Sequence, residues 1–432
     1  MKKIFMFAMA SLFMSSCQNE DASSADSSFS MKASKADYLV SLPTESFCGD
    51  ITTNTTWTND KVWEICGVVR VKNGATLTIQ PGTYIIAAPI LTLGDAQGIL
   101  VITKTGKIDA QGTLTAPIIF TSRYLLDGNV NTTGSPGDFG GVVILGDAQV
   151  NNGLTTNIAE GLGDQLNVAD FYYGGTNNVH NAGILNYVRI EFAGRILDVN
   201  NEVNSLSLAG VGSGTVIDHV QASYGLDDSF EFFGGTVNAG HLVSFAPKDD
   251  NFDFDLGYTG TITKAIAVAD GGSQHSDSNG FPDSDGIEVD NGLMATSIIT
   301  RPVLSQLSII GVSSSTAADV YESGIHVRRF GQIRLIDATV TGYNTGIKWD
   351  VPSVPTSSSW SRISIHGFDN VVLPAGTTLS GLGNSTSTVD PATAWGLTQP
   401  FFNNGALNFT GATGAFRTEA LWTNVWTKFT NF

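Results

Sequence analysis

The sequence predicts an all-β fold of solenoid type, a parallel β-helix with capped ends, and three observations carry that expectation. The first is composition. Of 432 residues, 48 are Gly, 42% are hydrophobic and only 14% are charged, which suits short strands and tight turns around a large core. The second is alternation of period two, the mark of strands, in segments that superimpose: Ser229–Phe233 (SFEFF), Asn251–Asp255 (NFDFD), Gly286–Asp290 (GIEVD), Gly324–Arg328 (GIHVR) and Gly346–Asp350 (GIKWD), with Asn204–Leu208 (NSLSL) as an earlier, uncharged copy. The third is spacing. The central positions are 207, 231, 253, 288, 326 and 348, so a unit of just over twenty residues recurs, with occasional insertions such as 270–282. A strand–turn unit of that size cannot bury its own apolar face. Stacked copies can, with equivalent residues about 4.8 Å apart.

Taken in chain order, residues 1–16 read as a leader. Lys2 and Lys3 form a basic start, and Ile4–Met14 is apolar but too short to span a bilayer. The leader ends at Met14-Ser15-Ser16-Cys17, which resembles a bacterial lipobox and implies cleavage before an acylated Cys17. Asn19-Glu20-Asp21 resembles the export signal of surface-exposed lipoproteins in Bacteroidota. Residues 17–44 are rich in Ser, Ala and Asp at their start and read as a flexible tether. Residues 45–432 are expected to form one β-helix domain, because solenoids lengthen without splitting. Cys17 being the lipid site, Cys48 and Cys66 are left outside the cytoplasm and are expected to pair; two free buried thiols are the alternative. Residues 45–66, with Trp57 and Trp63, are expected to cap one end, and residues 351–432, with Trp360, Trp395, Trp422 and Trp426, the other.

Register stacking places Phe230, Phe252, Ile287, Ile325 and Ile347 in one inward ladder. Phe232, Phe254, Val289, Val327 and Trp349 form a second. The residues between them point outward and are expected to face water. They form one column of Ser207, Glu231, Asp253, Glu288, His326 and Lys348, and another of Phe233, Asp255, Asp290, Arg328 and Asp350. Successive carboxylates about 5 Å apart repel by on the order of 3 kcal/mol at an effective dielectric near 20. A bound cation or a raised pKa relieves this, and hard oxygen ligands at several heights suit Ca²⁺. The candidate metal ligands are Asp253, Asp255, Glu288 and Asp290. Candidate ligand-binding residues are Asp228, Glu231, Asp250, Asp253, Asp255, Asp285, Glu288 and Asp290. No complete EF-hand spacing is present.

The stretches at 71–85, 98–122 and 139–146, together with NEVNSLSLAGVGSGTVIDHV (201–220), DDSFEFFGGTVNAGHLV (227–243) and the closing Gly414, Phe416, Trp422 and Trp426, resemble bacterial β-helix surface lipoproteins and secreted proteins of the pectin-lyase-like type. The resemblance covers most of residues 45–430 and implies a single right-handed parallel β-helix.

With Lys+Arg 22 against Asp+Glu 40, a net charge of −18 excludes a nucleic-acid binder working through a basic face. Three readings of the acidic columns stay open. One is a solubilising face. Another is a groove for an extracellular glycan or an outer-membrane protein complex, assisted by Ca²⁺, with Phe233, Tyr224 and Tyr258 as sugar platforms. The third is a polysaccharide lyase or glycoside hydrolase using Glu231, Asp253 and Glu288, with His326, Arg328 or Lys348 as base. The expected location is the outer membrane at the cell surface, anchored through Cys17. The six His residues show no zinc-like spacing. His219 and His241, 22 residues apart, read as stacked side chains on a coil face.

Overall fold

The computed structural model describes residues 41–429 apart from 92–97, 130, 164–167, 195, 199–200, 271–272, 274, 279, 293–296, 380–383, 389–396, 404–405, 410–413 and 420–421. The leader, Cys17, most of the tether and Trp395 lie outside the described residues. No helix among the described residues is long and apolar enough to cross a membrane. Among the described residues, twenty-four strands, all paired in parallel, wind into a right-handed solenoid.

Each repeating coil has one short strand and one long, bent strand. The long strands include Gly183–Glu191, Val216–Ser223, Asn238–Phe245, Thr261–Val268, Val303–Ile310, Arg334–Thr341 and Ser359–His366. The bend is a single residue in left-handed conformation, found at Tyr187, His219, His241, Lys264, Gln306, Asp337 and Arg362, with φ between 51° and 62°. That conformation costs a non-glycine residue roughly 1–2 kcal/mol. It lets the chain turn a corner within one residue while the ladder resumes directly after it: Asn186 pairs with Asp218 and Val188 with Val220, the corner being skipped. One strand thereby supplies two faces of the coil, and the corner side chains stack in a column on the outside.

The short strands Leu206–Ala209, Phe230–Phe233, Phe252–Asp255, Glu288–Val289, Ile325–Val327 and Thr345–Trp349 form the third face. Their register runs Ser207 to Glu231, Asp253, Glu288, His326 and Lys348, rung upon rung, as the spacing predicts. Both inward ladders lie in the core. Phe230 stacks on Phe252 at 5.2 Å, and Phe232 on Phe254 at 5.0 Å. Burying each such ring stabilises by about 1.5–3 kcal/mol. Trp57 and Trp63 stack at 5.3 Å in the lowest coils. There Cys48 and Cys66 are register partners and form a disulfide, Cα–Cα 4.9 Å.

The C-terminal segment departs from expectation. Trp349 and Trp360 meet at 5.6 Å in the upper coils, but Phe416, Trp422, Trp426 and Phe429 do not cap that end. They lie along the flank against Tyr224, Val243, Phe245, Ile266, Val268 and Ile310. The reason is that the half-strands at 242–245 and 265–268 carry apolar residues on both faces, so their outer side needs a cover.

Candidate acidic site

The outward face of the short strands changes character from rung to rung. On the lower rungs it is apolar: Val143, Leu145, Ala209 and Phe233 pack beneath Val150, Ala159, Leu162, Phe171 and Tyr173, which belong to an excursion between two coils. Ala159 and Leu162 anchor that excursion and carry Glu160 to the edge of the acidic rungs. Burial first, and then the charges of Glu202, Asp249 and Asp255, push Glu160 up to about 8.

On the middle rungs the sequence-predicted residues come together, but they do not face water. Glu231 and Asp253 are each 5% exposed and Glu288 2%. Asp228, Asp250, Asp285 and Asp290 are also buried. A solubilising face is therefore not what these columns form. Phe233, Tyr224 and Tyr258, expected as exposed platforms, are buried as well. Tyr258 belongs to the core, against Phe232 at 4.8 Å.

The electrostatics follow from this burial. Desolvation, and then neighbouring carboxylates, push Asp228, Glu231, Asp250 and Asp253 well above the ordinary carboxylate range. Burial raises Asp255 to about 6, opposed by the amide of Leu256. Burial likewise takes Asp285 to about 7, against a hydrogen bond from His326.

The upper rungs are neutralised. Arg328 Nη1 lies 2.9 Å from Glu288 Oε2, and its Nε 3.2 Å from Asp290 Oδ2; Arg329 also pairs with Asp290. His326 Nε2 is 2.9 Å from Asp350 Oδ2, and its Nδ1 is 3.1 Å from Glu322 Oε2. Lys348 pairs with Glu322 and Asp350. His326 is accordingly held well above its ordinary pKa by the carboxylates around it, against its burial. By contrast, the groups that weigh most on Asp227, Asp228, Glu231 and Asp250 are other carboxylates.

Three trios present one oxygen per residue within 4.8 Å of each other: Asp227–Asp228–Asp249, Asp228–Glu231–Asp253 and Asp250–Asp285–Glu288. Asp253 Oδ1 is buried without a hydrogen-bond partner. All-oxygen sets of this kind fit a hard divalent cation. The trios differ from the metal set expected from sequence. Asp253 and Glu288 take part. Asp255 instead accepts from the Leu256 amide at 2.5 Å, and Asp290 from Arg328, Arg329 and the Gly292 amide. Sequence reasoning missed Glu160, Glu202 and Glu322. The first two come from segments outside the coil repeat, where no spacing marks them. Glu322 sits four residues before His326, in reach of it and visible only once its loop is placed.

No curated protein sequence matches the chain. Among solved structures, the catalytic domain of a GH87 alpha-1,3-glucanase in complex with nigerose is similar at TM-score 0.33 and 12% identity, over 77% of this chain and 64% of that one. The Dettilon tailspike protein is similar at TM-score 0.27 and 11% identity, over 77% and 62%. The chain thus spans less than two thirds of either structure's own length. A family model, the pectate-lyase like beta helix domain, matches residues 49–427, nearly the whole span of the coils and the flanking segment. The chain belongs to the pectate-lyase-like β-helix family.

Proposed function

We propose that this protein is a binding lipoprotein of the outer cell surface, tethered through an acylated Cys17, whose acidic face takes up calcium and with it an extracellular glycan or a partner in an outer-membrane complex. The observation that carries this reading is Asp253: a carboxylate on the middle rung, 5% exposed, with a buried oxygen that no hydrogen bond satisfies and with Glu231 and Asp228 beside it. Leaving such an oxygen without a partner is expensive. A divalent cation satisfies it and removes the repulsion along the column. Carboxylate and hydroxyl oxygens of a glycan then complete the coordination shell.

A lyase or hydrolase is the second reading, supported by the close approach of Glu231 and Asp253 oxygens. Against it, Arg328 and Lys348 are held in ion pairs and so are poor bases.

The test is calorimetry with CaCl₂ on chelator-stripped protein, followed by a glycan panel with and without calcium. Calcium uptake that Asp253→Asn abolishes, with glycan capture that needs calcium, is the expected result. No uptake by the wild type rejects the calcium reading. Turnover of any glycan in the panel moves the assignment to the enzyme. Replacement of Cys17 by Ser is expected to release the protein from the membrane fraction.

A further inference from the structure

The corner column carries a second cluster of ligating side chains, remote from the acidic rungs. His219 and His241 occupy successive corners, each with φ of 51°. That backbone turns both rings outward, where they lie parallel, 4.1 Å between centroids and 14° between planes. Tyr187 stacks below His219 at 4.3 Å. The edges of Trp422 and Trp426 close the sides, Trp422 lying 5.1 Å from His241 and Trp426 5.5 Å from His219.

One carboxylate orients both rings. Asp218 Oδ2 is 2.7 Å from His219 Nδ1, and Asp218 Oδ1 is 2.7 Å from His241 Nδ1. Asp218 reaches the upper ring across Gly240, its register partner; a Cβ there would lie 2.8 Å from Asp218 Oδ1. An ionised carboxylate only accepts, so each Nδ1 carries a hydrogen and Nε2 is the nitrogen left to meet another partner. Histidines that ligate metals are commonly fixed in this way, by a carboxylate on the other nitrogen. His241 Nε2 then faces Glu419 Oε2 at 3.4 Å. Two acceptors at that separation call for a cation between them, either a proton on the ring or a metal ion. Lys264 neutralises Glu419 from the other side.

We propose that His219 Nε2, His241 Nε2 and the Glu419 carboxylate form a binding site for a divalent transition metal of the zinc or copper type, with Asp218 as the outer carboxylate. A metal lies in the plane of each imidazole it binds, about 2.1 Å from the nitrogen, so chelation unstacks the two rings, now 14° from parallel, and turns both planes toward one point. Imidazole nitrogen selects such metals over calcium, which prefers the all-oxygen trios. Because Glu419 lies on the C-terminal segment and the histidines on the coils, the ion clamps that segment to the corner column.

The test is calorimetry of the full chain with ZnCl₂ in buffer saturated with calcium, which keeps the acidic site from competing. One equivalent of zinc is expected, and CoCl₂ is expected to give the visible absorption of a nitrogen–oxygen site. His241→Gln and Glu419→Gln, the latter in an exposed side chain, are each expected to weaken zinc binding at least tenfold. Calcium uptake should stay unchanged in both. Absence of zinc uptake by the wild type, or wild-type zinc affinity in either variant, overturns the proposal.

Discussion

The backbone amide of Asp250 donates to Oδ1 of Asp228 at 2.8 Å. The bond recurs one coil higher, from the Asp285 amide to Asp250 Oδ1 at 2.5 Å, and one coil lower, from the Asp228 amide to Asn204 Oδ1 at 3.2 Å. These acids are rungs of a turn ladder, which uses Oδ1 of Asp228 and of Asp250.

The ladder needs an accepting oxygen and no charge, as Asn204 shows at its lowest rung. Asp250→Asn keeps the bond and removes a buried carboxylate. In chelator it is expected to melt at or above the wild-type temperature, and under the proposed calcium binding it should gain less from added calcium than the wild type does. Asp250→Ala leaves the Asp285 amide unsatisfied and is expected to cost about 1–3 kcal/mol. Denaturant melts that find the two variants equally stable would refute the ladder role.

Acids on and beside this ladder set the pH dependence. Asp255 at about 6, Asp285 at about 7 and Glu160 at about 8 lie above their ordinary values of 3.8 and 4.5. The folded state binds more protons through that interval. Their contribution is therefore full below about pH 4 and is lost as pH rises through 6 to 8. Glu322 acts in the opposite sense. Despite its burial, hydrogen bonding and charge from His326 hold it at about 2, so its contribution is present above about pH 4.5 and lost as pH falls toward 2. Chelator-treated protein is expected to melt highest near about pH 5 and to lose stability toward pH 8. Saturating calcium should flatten that decline. A melting temperature that climbs from pH 5 to pH 8 in chelator contradicts the assignment.

The short-strand face was legible because its alternation is strict: spacing stacks Glu231 on Asp253, and the matching five-residue pattern adds Glu288 beyond the 270–282 insertion. Their burial was not legible. The cover around Glu160 comes from an excursion that repeats nothing. The corner column was hidden for another reason. Its residues are Tyr, His, Lys, Gln, Asp and Arg, chemically unlike and never Gly, although each sits at positive φ. One signal was readable in retrospect: in Asn238–Phe245 the inward residues Ala239 and Leu242 are three apart, so the period of two breaks at His241. Another was the run Ala265–Val268, apolar on both faces and so covered on both.

The disulfide joins the first two coils at register partners 18 residues apart. Closing a loop of that length typically stabilises by about 2–4 kcal/mol, chiefly by restricting the unfolded chain. Cys48→Ser with Cys66→Ser is expected to lower the melting temperature and to free the lowest coil first. Hydrogen exchange of the amides of Val62–Val71 reads this directly. An unchanged melt and unchanged exchange would show that the bridge contributes nothing.

The C-terminal segment meets the corner column rung by rung, in descending order. Arg417 pairs with Asp337 at 2.9 Å, Thr418 donates to Gln306 at 2.5 Å, and Glu419 meets Lys264. Trp422 then lies against His241, and Trp426 edge-on to Tyr187 at 5.8 Å. Polar rungs fix the register, and the tryptophans supply the burial. Trp426 is fully buried, with Nε1 donating to the Trp422 carbonyl at 2.9 Å. Trp426→Ala is expected to cost about 3–5 kcal/mol and to expose the outer faces of Val243, Phe245 and Ile266. Amides of those strands after the corner should exchange faster, while those of Phe252–Asp255 on the acidic face keep their protection. Uniform acceleration around the whole coil would mean that the segment holds the solenoid together as a unit, rather than sealing one flank of a tube that stands without it.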